Sequence, residues 1–374
     1  MTGPLDGIRV VELAGQGPGP FACMLLADLG AEVVAIERVG VRRYAEDAHG
    51  RGRRSVCLDL KDARGVELAL DLISDADVLV EGFRPGVTER LGLGPEVCLA
   101  RNPALVYGRM TGWGQDGPLA QAAGHDIGYL SMSGVLHLIG PAGGAPVPPL
   151  NLVADYGAGG MLLALGITAA LLEARTSAKG QVVDAAMIDG LAAMAAPFHA
   201  MAARGAWGDR GTNLLDGGAP YYRVYETSDG RHVSVGAIEQ AFYDELLAVL
   251  GLDNAELGQR EDRLLWPDQR RRFSAVFASR TRDEWVEAFA GRDACVAPVL
   301  DLAEARLHPH ARHRSMFAES DGVPQQAPAP RFSRTALGSA ARREEPGAST
   351  DELLVRAGRS AEDVATLRAA GVVA

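Results

Sequence analysis

The stretch from Ile8 to Glu37 limits the fold more than any other. IRVVELA is a short apolar, β-branched run with the character of a buried strand. The turn GQGPGP follows, then the helical pattern FACMLLADLG, then a second strand-like run, AEVVAIE. Strand, helix and strand at this spacing form a βαβ unit, which implies neighbouring parallel strands. Further strands are expected at Asp77–Val80, Ala104–Tyr107 and Val182–Met187. A helix is expected over Gly65–Ile73 and an Ala/Leu-rich one over Met161–Arg175. This alternation predicts an α/β fold, with a large domain built on a parallel, Rossmann-like sheet over residues 1–190.

At 374 residues the chain exceeds what one core usually serves, so a second domain is expected. The pattern changes after residue 190. Residues 191–221, rich in Ala, Met and Gly, read as a linker. VYETSDGRHVSV then predicts a hairpin turning at Asp229-Gly230. With helices over Ala241–Leu250, Asp268–Ser279 and Thr281–Phe289 and the strand-like CVAPVLD, residues 222–305 form a smaller α+β domain. Residues 306–335, with the Pro-rich Val323–Arg331, read as an extended return linker. Residues 336–374 predict two short helices that pack back on the large domain, capped by Ser349 with Glu352 and by Ser360 with Asp363.

Several classes of function fall away on composition. The net charge of −11 argues against a non-specific nucleic-acid binder, which needs a basic face. Only Lys61 and Lys179 occur, so 35 of the 37 basic residues are Arg. Both lysines sit in polar turns, unsuited to Schiff-base chemistry. Cys23, Cys57, Cys98 and Cys295 have no metal or disulfide spacing, which fits a reducing cytoplasm. His308, His310 and His313 in HPHARH lack a nearby carboxylate pair, so no metal site is expected. The N-terminus has no signal-peptide pattern, and the apolar run Met161–Leu172 spans only 12 residues, so no membrane segment is expected.

The motifs leave alternatives. GQGPGP opens a helix after a strand, and Glu37 ends the next strand, as in a dinucleotide fingerprint. The glycine spacing is wrong for that fingerprint, and Pro18 and Pro20 remove two backbone donors. A structural turn is the stronger reading. Arg38, Arg51, Arg53, Arg54 and Arg84 cluster at or just past expected strand ends, where α/β sheets bind ligands. They are either a solvated surface or a phosphate site. His125 in GHDIGY is either structural or an acid/base. Asp155 in NLVADYGAGG is either a helix N-cap or a reactive carboxylate at a helix start. Met110, Met132, Met161, Met187, Met194 and Met201 read singly as core, and as a set as a pliable apolar surface for acyl chains.

Taken together, PLDGIRVVELAGQGPGPFACMLLADLGAEVVAIER, RGRRSVCLDLK, EGFRPGVTERLGLG, YGRMTGWGQDGP, GHDIGY, KGQVVDAAMIDG, LDGGAPYY and TDELLVRAG resemble the class III CoA-transferase (CaiB/BaiF) superfamily over nearly the whole length. Within it the chain is similar to the members that racemise 2-methylacyl-CoA thioesters; GHDIGY carries that likeness, because transferase members generally lack its histidine. The resemblance implies His125 and Asp155 as the catalytic pair, with Glu239 supporting the histidine. It implies CoA contacts at Arg38, Leu58, Asp59, Leu60, Lys61, Gly82, Arg84, Arg109, Gly124, Asp126 and Tyr129. It implies an interlocked homodimer, with the active site between the large domain of one chain and the small domain of the other. Two positions depart from the pattern: Gly128 stands where Asn is usual, and Ala158 where Gly is common.

The activity implied is epimerisation of the α-carbon by two-base proton transfer through an enolate, with no metal or organic cofactor. Backbone N–H groups where the Asp155 helix begins are expected to hold the enolate oxygen. The alternative enzyme is a CoA-transferase with Asp155 as nucleophile. A non-catalytic acyl-CoA binder and a nicotinamide enzyme are the remaining readings.

Overall fold

Six short runs of four to six residues, all but one of them mainly apolar, assemble into one parallel sheet: β1 (Arg9–Leu13), β2 (Glu32–Glu37), β3 (Arg53–Cys57), β4 (Val78–Glu81), β5 (Val106–Thr111) and β6 (Val182–Ala186). Their order is β3-β2-β1-β4-β5-β6, every neighbour parallel. The computed structural model describes residues 3–41, 48–320, 323–338 and 344–374. Helices Pro18–Asp28, Ala63–Ser74 and Leu162–Ser177 make the crossovers. The chain builds outward from β1 to β3, then returns to add β4 to β6 on the other side. The reversal between β1 and β4 leaves a cleft at their carboxyl ends, where such sheets bind ligands.

The chain divides into two units. The first comprises residues 1–133, 150–194 and 310–374 and holds the sheet. Its core runs from Val11, Val34 and Leu79 to the tail residues Leu353, Leu354, Val364 and Val373. The second comprises residues 134–149 and 195–309. It holds an antiparallel sheet of β7 (Tyr222–Glu226), β8 (His232–Gly236) and β9 (Val296–Pro298). Gly230, with φ of +72°, supplies the hairpin turn. Tyr225, Phe273, Phe277 and Trp285 fill its core, and the Trp285 indole donates to the Phe277 carbonyl at 2.8 Å.

The structure departs from the sequence pattern at several points. Arg53–Cys57 is a sheet strand, although two arginines open it. Arg53 is buried against Glu12, and Arg54 reaches Glu352 at 2.6 Å, so the charges are neutralised in place. Ser349 does not cap its helix, because its hydroxyl accepts from Arg54 Nη2 at 2.9 Å and donates to Glu344 at 2.6 Å. Ser360 and Asp363 do form a capping box. The segment read as an extended linker contains two strands: Phe317–Ser320 pairs antiparallel with Val323–Gln326. The three histidines of HPHARH fall in and just before a short helix, Pro309–His313.

The largest departure is at Asp155. A π-helical stretch, Leu152–Met161, runs directly into the helix Leu162–Ser177, giving 26 continuous residues. By length and composition that helix could cross a membrane. Its inner face instead packs in the first unit, with Ala154, Ala158, Leu163 and Ile167 buried. Glycine permits the approach. A Cβ at Gly160 would lie 2.6 Å from the Phe21 ring, and one at Gly190 would lie 2.1 Å from the Ala158 carbonyl.

Candidate active site

The switch point opens into a cavity of about 700 Å³. Its floor is the carboxyl ends of the central strands, with Glu12 and Leu13 from β1, Glu81 from β4, and Met110 and Thr111 from β5. Glu12 and Glu81 are each 1% exposed. A buried carboxylate must be paired. Glu12 takes Arg53. Glu81 accepts from Arg109 Nε at 2.8 Å and from the Phe83 amide at 2.7 Å. Burial raises the Glu81 pKa, opposed by those two bonds. The pairing fixes the loop Gly82–Arg84, which forms one rim and presents the exposed Arg84.

Both residues of the expected catalytic pair line this cavity. His125 is the N-cap of the helix Asp126–Met132 and is exposed. Among the described residues of the first unit, no hydrogen bond reaches its imidazole. Asp155 is half-buried in the π-helical stretch, one turn beyond the N-cap residue Asn151. It is therefore no N-cap. Asn151 Nδ2 donates to Asp155 Oδ2 at 3.2 Å. Burial raises the Asp155 pKa against that bond; the Asp126 carboxylate raises it further and His125 pulls it down.

Asp126 explains why two residues 30 apart in sequence meet. It is buried, and its Oδ2 accepts from the Ala154 amide at 3.0 Å and the Asp155 amide at 2.9 Å. One carboxylate thus ties the His125 helix to the Asp155 turn. The same bonds overturn the expectation that amides at the start of the Asp155 helix hold an enolate. Two of them are already used, and the carboxylate on them would repel an oxyanion. Tyr129 completes this wall. Its ring stands edge-on to Trp113 at 4.7 Å and lies where a Cβ at Gly112 or Gly124 would clash. Burial raises the Tyr129 pKa, as does Asp155, while Arg84 lowers it.

The GQGPGP turn forms the facing rim. Gly17 has φ of +71°, and a Cβ there would lie 3.5 Å from Asp155 Oδ2. The loop thus abuts a carboxylate. Glu37 accepts from the Ser55 hydroxyl at 3.0 Å inside the sheet. Neither arrangement suits a dinucleotide, whose phosphates need anion-binding amides and whose ribose needs an accessible acid.

Of the residues the resemblance implied, Gly82, Arg84, Gly124, His125, Tyr129 and Asp155 line the cavity. Arg38 is exposed just past β2, and Lys61 is exposed. Leu58 is fully buried in the core, and its amide donates to the Glu37 carbonyl at 2.9 Å, so only its carbonyl could meet a ligand. Asp59 and Leu60 are partly buried beside it. Arg109 is buried on Glu81 and Glu89, the latter at 2.9 Å, and Asp126 on backbone amides. Arg51 and Arg53 are corrections to the phosphate expectation: each is buried in an ion pair, with Asp28 and Glu12. Glu239 belongs to the second unit, just before the helix Gln240–Leu250. Sequence reading missed Asn151, Glu12 and Glu81. Asn151 stands four residues before Asp155, a helical spacing that signals contact. The glutamates are charges at the ends of apolar strand runs, which signals a cleft.

A parallel sheet with a histidine and a carboxylate brought together at its switch point matches a known class, and the chain belongs to CoA-transferase family III, which matches residues 5–351. Among curated relatives, it is 47% identical to the alpha-methylacyl-CoA racemase of Mus musculus and 44% identical to that of Homo sapiens, over 99% of this chain and 97% of each relative. It is 28% identical to the succinyl-CoA:glutarate CoA-transferase of Homo sapiens, over 90% of this chain and 82% of that protein. The crystal structure of a CaiB/BaiF family protein from Brucella suis superposes with a TM-score of 0.82 at 27% identity, covering 96% of this chain and all of that one.

Proposed function

We propose that this chain is an isomerase that epimerises the α-carbon of 2-methylacyl-CoA thioesters. The carrying observation is that His125 and Asp155 line one cavity from two separate elements, with His125 close enough to lower the Asp155 pKa. The near-full-length similarity to two racemases supports the same reading. One base removes the α-proton, and the C–H electron pair moves into the thioester as an enolate. The conjugate acid of the other base then delivers a proton to the opposite face. Among the described residues the Asp126 and Ile127 amides, the first two of the helix Asp126–Met132, have no backbone acceptor and suit the enolate oxygen, whereas the Gly128 amide donates to the His125 carbonyl at 2.8 Å. This chemistry asks for no metal or organic cofactor; the CoA handle positions the carbon.

Arg84 and Gly82 on the rim, with Arg38 and the Leu58–Lys61 backbone, are the proposed CoA contacts. Gly124 and Tyr129 shape the wall. Arg109 and Asp126 act through what they hold, Arg109 fixing Glu81 and the rim, Asp126 fixing Asp155. We further propose a homodimer, interlocked so that Glu239 supports His125. Leu152, Met161, Leu165 and Leu172 expose an apolar row on one helix, each more than half exposed, which supports an association face. Sedimentation analysis tests the dimer.

The deciding experiment incubates one epimer of a 2-methylacyl-CoA in D₂O. Deuterium at the α-carbon with inversion supports the racemase. Hydroxylamine trapping of Asp155, with acyl exchange between two substrates and no wash-in, supports a transferase instead.

A further inference from the structure

Asp155 presents its two carboxylate oxygens to different surroundings. Oδ2 accepts the Asn151 amide at 3.2 Å and is the oxygen nearest Gly17. Oδ1 accepts no hydrogen bond among the described residues. Asn151 lines the same cavity, four residues before Asp155 on the same helical stretch. Its placement has a backbone cause. Leu150, immediately before it, has φ of +60°, a conformation that a bulky side chain adopts only under constraint. Leu150 is also 73% exposed, so packing of its own side chain does not account for that conformation.

We propose that Asn151 is a positioning residue: its amide engages Asp155 Oδ2, which leaves Oδ1 as the oxygen that carries the substrate proton. This deepens the two-base reading above and rests on it. The chemistry favours an amide. An asparagine donates at every working pH and never competes for the substrate proton. Its bond favours the ionised carboxylate, against the burial that favours the neutral one. The titratable groups around Asp155 are His125, Asp126 and Tyr129; His125 lowers its pKa and Asp126 raises it, but among the described residues Asn151 alone donates a side-chain hydrogen bond to it.

The test compares wild type with Asn151→Ala and Asn151→Asp. Two readouts are used: α-proton exchange against pH, and the ¹³Cγ resonance of Asp155 in labelled protein, assigned by its loss in Asp155→Asn. For Asn151→Ala we expect kcat to fall about tenfold with KM little changed. We also expect the acid limb of the profile and the ¹³Cγ titration to move together to higher pH. Asn151→Asp, of equal size, moves both further by adding a like charge. Profiles and titrations of both variants that superimpose on wild type would overturn the proposal. If Asn151→Ala does not fold, Asn151→Asp alone decides. Wild-type enzyme that exchanges nothing refutes the racemase reading instead, and the ¹³Cγ titration still shows whether Asn151 holds Asp155.

Discussion

His125 and Asp155 reach the cavity from segments of opposite construction. The imidazole stands exposed at the cap of a helix of 7 residues, whereas the carboxylate is half-buried within a π-helical stretch of 10. Two-base inversion needs this asymmetry, because one group must hold a proton while the other lacks one. Burial pushes Asp155 toward its neutral form and Asn151 restrains the push. His125 has no such partner among the described residues of its own unit. The two walls are located jointly, through Asp126.

The most severe test removes either wall. His125→Ala and Asp155→Asn should each lower epimerisation by about 10³-fold, measured by inversion of a 2-methylacyl-CoA, with the fold retained by circular dichroism. A loss confined to one variant would break the comparison. Cutting the tie between the walls comes next. Asp126→Ala leaves the buried Ala154 amide and the part-buried Asp155 amide unpaired, costing about 1–3 kcal/mol for the buried one, and should lower both Tm and kcat. Asp126→Asn keeps an acceptor oxygen and should lose less on both counts.

Gly17→Ala addresses the Asp155 wall alone. It imposes about 1–2 kcal/mol of backbone strain at a positive φ and puts a methyl against Asp155 Oδ2. We expect a lower kcat and a lower Tm by calorimetry.

Asp155 also makes a pH-dependent contribution to stability. Its folded pKa is raised above the unfolded value, so the folded protein binds the proton more tightly. Stability is then favoured at low pH and falls as pH rises through the folded pKa. Asp155→Asn escapes that penalty. It should melt higher than wild type at neutral pH, and the difference should shrink on acidification. The smallest effect belongs to the histidine wall. Gly128 has nothing within 4 Å of a Cβ position, so Gly128→Ala should stabilise its helix by about 0.5–1 kcal/mol, read as a small rise in Tm.

Local pattern carried much of the architecture. The βαβ run at Ile8–Glu37 predicts the parallel sheet, and the Asp229-Gly230 turn predicts the hairpin of the second unit. Both depend on hydrophobic period and turn chemistry, which are properties of neighbouring residues. The motifs GHDIGY and NLVADYGAGG made His125 and Asp155 candidates, yet neither motif by itself excluded a structural role. Where charge disguised a strand, as at Arg53–Cys57, local reading failed, because the neutralising Glu12 lies 41 residues away. The arginines show the same limit. Arg53 and Arg84 look alike as residues near strand ends, but one is buried on a glutamate and the other stands on the cavity rim.

The sequence by itself determined five of the six strands of the parallel sheet, the crossover helices and the types of group available for proton transfer. Only the tertiary structure decided which arginines are spent inside, that Asp155 lies one turn within its helix, and that Asp126 ties it to His125. The reason is physical: periodicity acts over one or two turns, whereas a buried charge is placed by whichever partner the folded chain brings to it.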